Sequence, residues 1–219
     1  GDRRYARPGQ AAVFRAHHSV LGKNSAHWIL ADLAIWMAGH VSVPIYATVN
    51  ASTLNYILMH GEVRACFIGK LDDTQALLNG MPGYIPVISL AQAPTLASEI
   101  SDDFAMTLPE GPASQLLSNS WSSIVARTEP LRTVEPPSGD SLATVIYTSG
   151  TTGEPKGVMQ TFNAFTWSLL AAAKRVELSD KDRFISYLPL AHVAERILIE
   201  HGALFFGAQI FFPQSIDTF

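Results

Sequence analysis

One cysteine, Cys66, stands in the whole chain. No disulfide can close within it, which accords with a reducing, cytoplasmic setting. Cys66 lies in the strand-like run Ala65 to Ile68 and reads as a small buried hydrophobe rather than a nucleophile. Charge is scarce and balanced: 15 Lys+Arg against 19 Asp+Glu leave a net of −4, with the signs interspersed. That excludes a basic stripe for nucleic acid or a cationic cluster for an anionic membrane surface. No run of membrane-spanning length stands uninterrupted, because the most apolar region, Trp28 to Ala47, is broken by Asp32, His40 and Pro44. No segment reads as a secretory signal, and there is no internal repeat or low-complexity tract. Metal-ligand spacing is missing as well. There is no HExxH and no Cys/His pair; His17 and His18 are adjacent and face opposite ways, and His27, His40, His60 and His201 are scattered. No metal site is expected within the chain.

What is present is a hydrophobic fraction of 47% in 219 residues, enough to bury a core as one domain or two small ones. Ser25 caps a helix running toward Met37 and ended by Gly39, in which Trp28 and Trp36, two turns apart, read as a core stripe. Val41 to Tyr46 follows as a strand. Asn50 or Ser52 opens a second helix stopped by Gly61, with Arg64 to Ile68 as strand. Asp72 and Asp73 cap a third helix through Ala76, Leu77 and Leu78, and Tyr84 to Leu90 is again a strand. Asp102 and Asp103 likewise read as caps rather than an acid/base pair. Three helix-then-strand units in succession predict an α/β fold of layered, mostly parallel sheets flanked by helices.

From Ala91 to Leu116 prolines interrupt the pattern, and Trp121 to Ala126 reads as one short helix. Residues 129–140 form a Pro-rich linker, dividing a first α/β subdomain (1–128) from a second α/β portion (141–219). The second portion reads as a strand from Leu142 to Tyr147, a helix from Asn163 to Val176, a strand from Phe184 to Leu188, a helix from Ala191 to about Glu200 and a strand from Gln209 to Phe212.

Between the first two of these lies YTSGTTGEPKGV, beginning at Tyr147. Gly150, Gly153 and Gly157 let backbone N–H groups turn toward an anion. Thr148, Ser149, Thr151 and Thr152 add hydroxyl donors, and Lys156 adds a compact charge whose swing Pro155 restricts. Polyphosphate suits that mixture. A plain loop is the bland alternative, set against about eleven specified positions between a strand and a helical pattern. The nucleotide-triphosphatase P-loop does not fit, since Lys156 follows Pro155 and precedes Gly157 instead of Ser or Thr.

The run from Tyr147 to Val158 resembles the phosphate-binding signature of the adenylate-forming (AMP-binding) superfamily. Two further stretches, LGKNSAHWILADLAIWMAGHVSVPIYATVN from Leu21 and YLPLAHVAERILIE from Tyr187, are similar to bacterial long-chain fatty acid CoA ligases. The resemblance covers nearly the whole chain from Leu21 onward. It implies ATP-dependent activation of a fatty acid to an acyl adenylate, then thioester formation with coenzyme A. ATP, Mg2+ and coenzyme A are the expected cofactors and co-substrates. Thr148, Ser149, Gly150, Thr151, Thr152, Gly153 and Lys156 are the expected phosphate-binding residues. Lys156 is the charge partner of pyrophosphate, and His192 lies beside the acyl carboxylate. Read by chemistry alone, His192 is a helix N-terminal histidine packed on the core, and Glu195 and Arg196 are a structural ion pair or solvated charges.

Members of the superfamily are more than twice as long. With Gly1 first and Phe219 last, the resemblance implies an excised N-terminal portion of a larger ligase, or an incomplete gene model, inactive alone. The magnesium glutamate and the C-terminal lysine would then lie beyond Phe219. A fatty acid partitions into lipid, which leaves peripheral membrane contact open. The stretch RRYARPGQAAVFRAHHS, between Asp2 and Val20, departs from the family pattern and reads as an insertion, an arm or a frameshift. The alternative function is a non-catalytic nucleotide-binding or interaction module derived from the same fold.

Overall fold

The computed structural model describes residues 15–74, 78–91, 93, 119–148 and 153–214. Strands β1 (His17–Leu21), β2 (Val41–Ile45), β3 (Val63–Ile68), β4 (Val87–Ser89), β5 (Leu142–Thr148) and β6 (Lys156–Thr161) form one sheet in the order β4-β3-β1-β2-β5-β6. All neighbours run parallel except the β5–β6 hairpin. Strands β7 (Arg183–Ile185) and β8 (Gln209–Phe211) pair in parallel as a second, two-stranded sheet. The α/β reading with mostly parallel sheets holds.

Helix α1 (Ala26–Met37) starts where the Ser25 hydroxyl accepts from the Trp28 N–H, and α2 (Ala51–His60) where the Asn50 side chain accepts from that of Thr53. Gly61 closes α2. The two helices cover opposite faces of the sheet. Val20 packs with Trp28 and Ile35 of α1, and the next residue, Leu21, packs with Leu54 and Leu58 of α2. Each such buried aliphatic side chain is worth roughly 1.5–3 kcal/mol. Helices α3 (Trp121–Arg127) and α4 (Phe162–Ala173) follow, the latter capped by Thr161. A composite helix then runs α-helical over Val193–Glu195, π-helical over Arg196–His201 and α-helical over Gly202–Phe206.

Several boundaries differ from the sequence reading, for local reasons. β1 was not foreseen, because HHSVL lacks alternation; as a central strand between β2 and β3 it is buried on both sides of its apolar end. β6 intervenes between the glycine-rich loop and α4, where a direct passage into helix was expected. The strand expected from Tyr84 shortens to β4 because Pro86 precedes it and Tyr84 is exposed. The strand expected to reach Leu188 ends at Ile185, and the helix expected from Ala191 begins at Val193.

Asp72 pairs with Lys23 at 2.5 Å; of the third helix, residues 75–77 lie outside the described residues, as do Asp102 and Asp103. Residues 129–140 carry no regular element. They do not separate two sheets, since β5 after them pairs with β2 before them through Ser42 and Thr144.

Candidate active site

Strand β5 is buried from Ala143 to Tyr147, apolar but for Thr144 and the Tyr147 hydroxyl, and its last residue, Thr148, is exposed. Because β5 runs parallel to β2, its end lies at the same sheet edge as the C-terminal ends of β1 to β4, where open α/β sheets take their ligands. The chain returns antiparallel, so Lys156 opens β6 directly opposite Thr148. Gly153, between them, has φ +139, which favours glycine. Gly150 and Ser149, Thr151 and Thr152 lie outside the described residues. Thr148, Gly153 and Lys156 are thus brought to one exposed hairpin tip.

Tyr147 braces that tip from below. It stands opposite Gly157, whose missing side chain leaves room for the ring: a Cβ there would lie 2.8 Å from Val145 Cγ1 and 3.3 Å from Tyr147 Cζ. The phenol oxygen is 2.8 Å from His60 Nδ1. Burial, with a smaller contribution from Tyr56, pushes the Tyr147 phenol up to about 12, so it stays protonated and can donate. Tyr56 stacks on His60 at 5.2 Å and hydrogen-bonds Glu154 in the loop. Sequence reasoning passed over Tyr56 and His60 because nothing local marks an exposed helix histidine as a loop support.

His192 opens the composite helix as expected, and its ring is exposed rather than packed on the core. Its Nδ1 accepts from the Ala194 N–H at 3.2 Å. A neutral ring therefore carries its proton on Nε2, directed away from the helix. The preceding segment is fixed by Asn24, just past β1. Asn24 Nδ2 donates to Ser186 Oγ at 2.8 Å and to the Leu188 carbonyl at 2.6 Å, and Asn24 Oδ1 accepts from the Leu190 N–H at 2.8 Å. Ser186 Oγ donates in turn to buried Glu195 at 2.7 Å. Burial pushes the Glu195 carboxyl up, and its hydrogen bonds from Ser186, Tyr187 and Leu188 work against that shift.

Glu195 and Arg196 are not solvated, and they do not pair with one another. Arg196 is fully buried and pairs with Asp32 of α1 and, at 3.4 Å, with Glu200. It also donates to Thr144 Oγ1 at 2.8 Å, and Thr144 donates to the Ser42 carbonyl at 2.8 Å. The Ser42 hydroxyl donates to Asp32. The rings of Trp28, Trp36 and Phe165 surround the guanidinium at 5.3–5.8 Å. Arg196 lies one helical turn beyond His192, and Thr144 lies on the strand that ends at Thr148, so one buried side chain ties both candidate regions together. The signal for it in the sequence was Asp32, a lone carboxylate in an apolar helix.

Cys66 is fully buried, and burial pushes its thiol up to about 12. Among the described residues no group of three His, Cys, Asp or Glu side chains could hold a metal, and no helix is long and apolar enough to cross a membrane.

The comparisons with known proteins converge on one family. The human long-chain-fatty-acid–CoA ligase ACSBG2 is 32% identical over 202 residues, covering 87% of this chain and 28% of its own length. The peroxisomal long chain acyl-CoA synthetase 6 of Arabidopsis thaliana is 30% identical over 234 residues, covering 98% of this chain and 32% of its own. The chain thus spans under a third of either relative. Among solved structures, apo MatB from Rhodopseudomonas palustris superposes with a TM-score of 0.67 at 18% identity, covering 93% of this chain and 36% of that one. O-succinylbenzoate coenzyme A synthetase (MenE) from Bacillus subtilis, in complex with ATP and magnesium ion, does so with a TM-score of 0.63 at 19%, covering 92% and 35%. These structures speak for the fold. The family model for AMP-binding enzyme matches residues 16–219, and the chain belongs to that family.

Proposed function

We propose that this chain supplies the phosphate-binding part of a long-chain fatty acid CoA ligase. In the full-length protein a fatty acid carboxylate attacks the α-phosphorus of ATP. The α–β bond breaks, pyrophosphate leaves, and the acyl adenylate remains. The thiol of coenzyme A then displaces AMP, giving the thioester. The observation that carries the reading is the β5–β6 hairpin, which sets Lys156 opposite Thr148 at the ligand edge of a parallel sheet.

Little covalent chemistry is asked of the protein in the first step; it aligns the attacking oxygen and stabilises charge on the departing pyrophosphate. Lys156 is assigned the pyrophosphate charge. Thr148, Ser149, Thr151 and Thr152 are assigned hydroxyl donation to the β- and γ-phosphates, and Gly150 and Gly153 the close backbone approach. His192, with Nε2–H outward, is assigned the acyl carboxylate. Magnesium would enter as its ATP complex.

The test is ATP–pyrophosphate exchange by the full-length protein with long-chain, short-chain and aromatic acids. Long-chain acids are expected to drive exchange best, and Lys156→Ala to slow it on the order of 10²-fold. Exchange unchanged in that variant would overturn the loop assignment. Preference for aromatic acids would overturn the substrate class.

A further inference from the structure

We propose that Asn24 is a positioning residue for His192, acting through the segment from Ser186 to His192. This rests on the acyl-side assignment of His192. Past buried Ser186, whose N–H still bonds the Phe211 carbonyl at the end of β8 at 2.9 Å, the segment joins no strand; Tyr187, Leu188 and Pro189 are exposed, and Leu190 and Ala191 are its buried apolar side chains. Burial of two apolar side chains is non-directional and leaves the rotation of the segment free.

Hydrogen bonds supply the direction: Glu195 accepts from the Tyr187 and Leu188 backbone, and Asn24 makes three bonds, to Ser186, Leu188 and Leu190, that tie the segment to the sheet. Only an amide offers two donors and an acceptor on one short side chain: aspartate has no donor when ionised, and serine has one hydroxyl. Ser186 relays the same constraint to Glu195, in the first turn of the helix, and the His192 N–H closes onto the Pro189 carbonyl at 2.8 Å. Asn24 follows directly on β1, the central strand of the sheet whose β5 carries the phosphate loop. Its amide therefore sets the His192 ring in the frame of the phosphate site. In-line attack on the α-phosphorus is sensitive to displacements on the order of 1 Å.

The experiment compares Asn24→Ala, Asn24→Asp, His192→Ala and Asn24→Ala/His192→Ala in the full-length protein by ATP–pyrophosphate exchange, with thermal unfolding alongside. The expected result is a rise of about tenfold or more in KM for the acid in Asn24→Ala, with KM for ATP unchanged and no further rise in the double variant over His192→Ala. Asn24→Asp keeps the shape and the acceptor for Leu190 but loses both donors; it is expected to shift the acid KM in the same direction, and it serves if the alanine variant does not fold. Equal rises in both KM values, or effects that add in the double variant, would overturn the positioning role. If His192→Ala raises the acid KM and both Asn24 variants match wild type, the positioning role alone fails. If His192→Ala leaves it unchanged, the acyl-side assignment fails and the positioning role falls with it.

Discussion

Arg196 and Asp32, 164 positions apart in the chain, form an ion pair in which neither side chain is exposed. Glu200, also fully buried, contacts the guanidinium Nε at 3.4 Å and hydrogen-bonds Asp32. One cation and two carboxylates in a dry interior leave one negative charge in excess if both acids ionise. The asymmetry resolves at Glu200, whose carboxyl is pushed well above its usual range by burial and by Asp32, against the pull of Arg196. Asp32 is held by Ser42 as well as by Arg196.

Burial and Asp32 favour the neutral form of Glu200, and Glu200→Gln, which fixes a neutral side chain of the same shape, should cost little at neutral pH. Between the unfolded value of about 4.3 and the raised native value, the folded chain keeps a proton that the unfolded chain has released. Its contribution to stability is complete below the unfolded value and is lost as pH rises through the native one. Urea unfolding of wild type and Glu200→Gln from pH 4 to 8 should show the wild type losing stability relative to the variant as pH rises. Parallel curves would mean that Glu200 is ionised in the fold.

Asp32→Asn removes the counter-ion while keeping the shape. Glu200, freed from the neighbouring charge, can then ionise and take over the pairing with Arg196. The single change should be tolerated better than Asp32→Asn/Glu200→Gln, which strands a buried guanidinium without any carboxylate at a cost of about 3–5 kcal/mol. A double-mutant cycle on unfolding free energies checks this; the loss in the double variant is expected to exceed the sum of the singles. Simple additivity would rule out the exchange of roles.

Local chemistry was legible in the sequence wherever one side chain settles its own neighbourhood. Ser25 caps α1 as expected, Asn50 rather than the alternative Ser52 caps α2, Gly61 stops α2, and the apolar run from Leu142 is a buried strand. The glycine-rich stretch was marked by its composition alone as a candidate anion-binding loop. Strand β1 was hidden because a central parallel strand has no polar face to alternate with, and its first two residues are histidines. Strand β6 was hidden because KGVMQT is largely exposed on an edge and has a weak apolar signal. Asn24 gained its meaning from Ser186, 162 positions away, and Asp32 and Arg196 from each other across 164, with Thr144 joining Arg196 across 52.

Gly157→Ala tests the brace under the proposed phosphate loop. The added methyl meets Val145 Cγ1 at 2.8 Å and Tyr147 Cζ at 3.3 Å, and the buried Tyr147 ring is held at its far end by His60. Overpacking of this kind costs about 1–3 kcal/mol. Urea midpoints should fall accordingly, and Val145→Ala in the same chain should restore part of the loss. The same substitution is expected to slow pyrophosphate exchange in the full-length protein, because Lys156 is the adjoining residue. A wild-type midpoint would show that β6 shifts freely away from β5.

Acid is expected to destabilise the fold through two histidines buried in the neutral form. His201 lies edge-on to Phe165 at 4.6 Å and beside Trp36 at 5.3 Å, with Nε2 buried and unpartnered; burial first and Arg196 second push it down to about 3. His18, against His40 at 4.9 Å, is pushed down to about 4 by burial and then by His40 and His17. Each native value lies below the unfolded value of about 6.5, so the unfolded chain takes up protons first as pH falls. The stabilisation from neutral burial is full above about 6.5 and is lost as pH falls through the native values. His201→Phe keeps an aromatic ring between Trp36 and Phe165 and removes one titrating group. Urea unfolding at pH 7, 6, 5 and 4 should show a shallower loss in this variant, by up to one proton in the slope. A slope equal to wild type would mean that His201 is already charged in the folded protein, with the Arg196 guanidinium beside it.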